Sequence, residues 1–84
     1  MDELKSGIAD AMYKIAIDDL NNSSLKGGPL ESMAILDSLN YSHDRYKKYL
    51  EENKAKFNIS DTDIDKIIKE CHTIVYELFF GKDE

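Results

Sequence analysis

With 84 residues, 42% hydrophobic and 33% charged, the chain has room for one domain with one small core and is too apolar for a disordered polypeptide. A formal net charge of −6 argues against phosphate neutralisation as a binding mode, so nucleic acid is not an expected partner. No run approaches the ~18 to 20 apolar residues of a bilayer helix, and the start Met-Asp-Glu-Leu-Lys lacks a basic region followed by an apolar stretch, so no membrane partner and a cytoplasmic location are expected.

The first element is a helix over about 3–20. Leu4, Ile8, Ala11, Met12 and Ile15 fall at helical spacing within one arc, and Gly7 inside it suggests a close approach to another helix. A second apolar stripe, Tyr13, Ile17 and Leu20, lies nearly opposite. One helix with two apolar sides wants two partners, so either the helix is sandwiched within the chain, or Ile17 and Leu20 fold under the loop that follows, or this stripe is a candidate interface with a second copy of the chain or with a target protein.

Asn21 to Gly28 reads as a polar loop, and Pro29 fits the first position of a new helix. Lys26, Gly27 and Gly28 just before that start offer backbone amides and an ammonium that could hold an anion. The Gly-Lys-Ser/Thr ending and preceding strand of a phosphate-binding loop are both missing.

The second helix is expected over about 29–57, some 43 Å at 1.5 Å per residue. Its packing seam reads Leu36, Leu39, His43, Tyr46, Leu50, Asn53 and Phe57, with Leu30, Met33 and Ile35 meeting the first helix. A competing break lies near 40–42, where Asn40, Tyr41 and Ser42 are poor helix formers and Ser42 is able to cap a new helix. Tyr41, Arg45 and Tyr49 fall outside the seam and are the residue types that anchor interfaces.

The third helix is expected over about 61–80. Ser60 and Asp63 stand in capping-box positions, Ile59 and Ile64 in those of a hydrophobic staple, and Gly81 supplies the stop. Ile64, Ile67, Ile68, Cys71, Ile74, Val75 and Leu78 wind onto one face. The short link before it makes the second and third helices an antiparallel hairpin. The fold expected is all-α, a single three-helix domain over 1–84.

Chemistry is poorly represented. Pairing Phe57 with Ile64 sets His43 level with Leu78, about two turns from Cys71 and His72, so no metal site is expected and His43 reads as a register-fixing polar residue bonded to Tyr76 or Glu77. Cys71, Ser32, Ser38 and Ser42 are candidate nucleophiles without a recognisable base, and Asp61, Asp63 and Asp65 suit a helix start better than a calcium loop. No catalytic residue, cofactor or enzymatic activity is expected. The reading is a small acidic inhibitor or regulatory protein of bacterial or phage origin that binds a protein partner, as a homodimer. The alternatives are an anion or nucleotide binder, with Arg45 and Lys47 assisting Lys26, Gly27 and Gly28, and a structural or assembly subunit.

Overall fold

The computed structural model describes residues 2–81 and is all-α, with helices α1 (Asp2–Asn21), α2 (Glu31–Glu52), α3 (Lys54–Phe57) and α4 (Asp61–Phe80). Among the described residues, no helix is long and apolar enough to cross a membrane.

The start of α4 is fixed as its sequence dictates. The Ser60 hydroxyl accepts the Asp63 N–H at 3.1 Å, and the Asp63 carboxylate accepts the Ser60 N–H at 3.0 Å. The Ser60 N–H, and after it the Ser60 hydroxyl, hold the Asp63 carboxyl below its ordinary pKa. Ile59 and Ile64, on either side of this cap, are both buried, as a hydrophobic staple requires. At the other end Gly81 has φ 77° but ψ 177°. It ends the helix from an extended positive-φ region reserved for glycine rather than from the left-handed helical one.

The second helix is shorter than its composition suggests and uninterrupted at 40–42. Pro29 lies in the preceding turn rather than in the helix, which starts at Glu31. At its far end the Asn53 amide side chain donates to the Tyr49 carbonyl at 2.9 Å, the chain leaves helical geometry, and the single turn of α3 follows. That turn closes with Ile59 N–H on the Lys54 carbonyl, Asn58 N–H on the Ala55 carbonyl, and Asn58 left-handed at φ 55°. This is a Schellman motif with asparagine where glycine is usual. The expected 29–57 helix is therefore α2, about 33 Å long, and a separate turn that reverses the chain.

Three long helices enclose one core. Lys5 reaches Glu70 and Cys71, and eight residues further along each helix Tyr13 meets Phe79, so α1 and α4 run parallel. His43 meets His72 while Lys47 meets Asp65, so α2 is antiparallel to α4. Met12, Leu39, Leu50, Ile64, Ile68, Cys71 and Val75 are fully enclosed. Burial of each large aliphatic among them stabilises the fold by roughly 1.5–3 kcal/mol.

The buried face of α2 differs from the expected seam. Ile35, Ser38, Leu39, Ser42 and Leu50 are buried, whereas Leu36 is exposed, and Leu30 and Met33 do not enter the core. Two serines therefore stand where a hydrocarbon stripe would place aliphatics. Ser38 donates its hydroxyl to Asp19 at 2.7 Å, tying α2 to the end of α1, and the buried Ser42 hydroxyl has no hydrogen-bond partner among the described residues. Gly7 marks no close approach. It is exposed, and a Cβ there would meet nothing within 4 Å.

Two substitutions on opposite sides of neutrality follow. Gly7→Ala is expected to stabilise the fold by roughly 0.5–1 kcal/mol, since the helix gains propensity without a clash. Ser60→Ala is expected to cost about 1 kcal/mol through loss of the cap. Thermal unfolding reads both, each 1 kcal/mol moving the midpoint by about 4–8 °C in a domain of this size.

Candidate functional site

Two regions gather polar or exposed side chains beyond the needs of the core, the groove between α2 and α4 and the outer face of α2. In the groove, His43 follows buried Ser42 and His72 follows buried Cys71, so each histidine sits about 100° round its helix from a core position. Both are half-buried at the edge of the interhelical seam. Their Nδ1 atoms lie 3.3 Å apart and their rings cross at 71°. With both rings neutral, one Nδ1–H donates to the other's lone pair. An open groove of about 570 Å³ surrounds them, lined also by Asn40, Asp44, Lys69 and Thr73.

This pairing overturns the expected register. His43 is level with His72, not with Leu78, and its partner is neither Tyr76 nor Glu77. The expectation ran the hairpin on from Phe57 against Ile64. α2 instead ends at Glu52, and Asn53 with the turn of α3 belongs to the reversal, so α4 is shifted along α2 by nearly two turns from the expected register.

Burial, and after it the neighbouring His43, hold the His72 imidazole below its ordinary 6.5. The lone thiol is a different case. Cys71 is fully buried, donates to the Lys5 carbonyl at 3.2 Å, and burial pushes its pKa up to about 11. A thiol so protonated and enclosed is a poor nucleophile and a poor metal ligand. Ser38 is engaged with Asp19 and Ser42 is sealed in the core.

The expected contact residues separate into two groups. The second stripe of α1 is largely claimed by the chain itself: the Tyr13 ring lies 5.2 Å from that of Phe79, Leu20 packs against the core, and Ile17 is half-buried. All three side chains are half-buried. Tyr41, Arg45 and Tyr49 are exposed and spaced four apart, so they form one ridge along α2. The Tyr49 ring leans on Tyr46 and Phe57, at 6.3 and 6.0 Å between centroids. The ridge continues backwards through Asp37 to Met33 and Leu30, which sequence reasoning had assigned to α1. Leu30 and Met33 are each 51% exposed and Tyr41 63%. Their spacing of three and four was a visible signal, but hydrophobicity alone argued for burial.

The expected anion loop is already satisfied. Gly27 N–H donates to the Glu31 carboxylate at 2.6 Å, Gly28 N–H to the Leu25 carbonyl, and Lys26 Nζ to Asn21 Oδ1 at 2.8 Å. A carboxylate from the chain occupies the place of an anion. Arg45 lies about 21 Å along α2 from Glu31, and Lys47 pairs with Asp65. These residues are not brought together.

The His72 environment predicts an acid-side loss of stability. With its folded pKa depressed, the unfolded chain binds more protons just below pH 6.5, so this contribution is complete above that value and declines as pH falls toward the folded pKa. The unfolding midpoint of the wild type is expected to drop between pH 7 and pH 5.5, and His72→Gln is expected to flatten that segment. Equal slopes in both proteins would show that His72 does not contribute.

No protein family, no curated protein and no solved structure matches this chain, so the functional reading rests on its own residues and geometry.

Proposed function

We propose that the chain is a non-enzymatic binding module that docks on a protein partner through the outer ridge of α2. The observation that carries this reading is the run Leu30, Met33 and Tyr41, three large side chains left mostly exposed, Leu30 in the turn that leads into α2 and Met33 and Tyr41 on the outer side of the helix. Large exposed apolar side chains gathered on one face, unlike scattered single ones, are characteristic of contact surfaces. Arg45 and Tyr49 extend the ridge with residue types enriched among binding hot spots.

Charge indicates the kind of partner. No Lys or Arg occurs between Lys26 and Arg45, while Asp37 and Asp44 flank the exposed side chains. An apolar surface with a basic rim complements this half of α2. A second copy would bring another net charge of −6 and a second Asp37 and Asp44 to the contact. The occupant proposed is therefore a different protein, and action by occupying that protein's surface makes the chain an inhibitor or regulator.

Photocrosslinking from position 37 in the cells that make the protein, with wild type, Met33→Asp and Tyr41→Asp compared, tests the ridge. A partner is expected that each substitution weakens at least tenfold, with the unfolding midpoint moved by no more than a few degrees. An unchanged crosslink in both variants overturns the assignment to this face. Sedimentation of a wild-type dimer that both variants dissolve would replace the proposed partner with a second copy.

A further inference from the structure

We propose that His43 and His72 form a binding site for a late first-row divalent transition ion, of the class Zn²⁺, Ni²⁺ or Cu²⁺, clamping α2 to α4. The geometry suits it. Two imidazole nitrogens each 2.0–2.1 Å from a tetrahedral ion stand about 3.3 Å apart, and the two Nδ1 atoms are separated by 3.3 Å. The crossed rings, at 71°, present these nitrogens from two helices without stacking.

Both helices are fixed independently of the histidines, α4 by its cap and staple and each helix by the core residue next to its histidine, Ser42 or Cys71. The pair is thus held by the bundle, so little ordering remains for an ion to impose. The groove around the rings is open and has room for water on the remaining coordination positions, and Asp44 in its lining adds negative charge without serving as a ligand. Lys69 lines it too, on a flexible stem able to turn its ammonium to solvent.

The donor set selects the metal class. Imidazole suits zinc, copper and nickel, whereas magnesium and calcium require an oxygen cage that this groove does not supply. Cys71, sealed beneath α1, is not a ligand. Among the described residues no group of three or more histidine, cysteine or acidic side chains converges on one point, so the site has two protein ligands and open positions. Such a site binds exchangeably rather than structurally.

The test uses the full chain without a polyhistidine tag at pH 7.5 in a non-chelating buffer, titrated calorimetrically with ZnCl₂, NiCl₂, CuCl₂ and, as control, MgCl₂. One equivalent of at least one transition ion is expected to bind, with no heat from magnesium. His43→Ala and His72→Ala, shown folded by circular dichroism, are each expected to weaken binding at least tenfold. Long-range proton–nitrogen spectra of the wild type supply a readout that needs no variant, and zinc is expected to shift the Nδ1 resonances of both rings. Absence of transition-ion binding, or binding that leaves both imidazoles unshifted and persists in the double variant, overturns the proposal and leaves the pair as a hydrogen bond alone.

Discussion

The whole bundle depends on one constraint, the burial of a single face of α4 against two helices at once. Ile64, Ile68, Cys71 and Val75 lie along that face, and α1 and α2 close over it from either side, one parallel and one antiparallel. Neither covering helix would be stable alone in water at about 20 residues without a face to bury, so their order follows from this contact. The cap at Ser60 and the Schellman turn at Asn58 decide where along α2 that face begins. These local bonds thereby determine which side chains oppose each other across the groove, including the histidine pair.

The ends of the bundle differ in chemistry. Near the start of α4 the polar links are Lys54 with Asp61 and the Ser60–Asp63 box, and Lys5 pairs with Glu70 halfway along the helix. Exposed ion pairs of this kind add little stability and mainly limit which neighbours are compatible. At the end of α4 the contacts are aromatic, with Tyr13 on Phe79 and Tyr76 on Phe80. Exposed apolar groups also collect on that half, Leu30 just before α2, Met33 on α2 and Leu78 on α4. Small bundles rarely leave this much hydrocarbon in water unless something covers it.

Local signals in the sequence were legible where a short motif specified them. Ser60 with Asp63, Ile59 with Ile64, and the run from Ile64 to Val75 identify α4 and its boundaries, because capping and periodicity act within a few residues. Three features were hidden for physical reasons. Ser38 and Ser42 are buried, and a reading that equates polarity with exposure shifts the buried face of α2 to Leu36. Tyr13 and Leu20 resemble a spare stripe until the packing of α1 along α4 brings Phe79 against the Tyr13 ring. The His43–His72 pair depended on how many residues the reversal consumes, and Asn53 with α3 consumed more than a simple link would. The spacing of Leu30, Met33, Asp37 and Tyr41 was readable as a ridge, yet nothing local tells which of two apolar faces on a helix the tertiary fold will cover.

Cys71 is sealed by the backbone of α1 itself, its hydrogen bonded to a main-chain oxygen four residues into the chain's first helix. A reagent in solution can therefore reach sulfur only during the instants when that helix lifts away, and even then must wait for ionisation. The molecule thus contains its own stopwatch for the detachment of its leading segment, readable through alkylation without any added label.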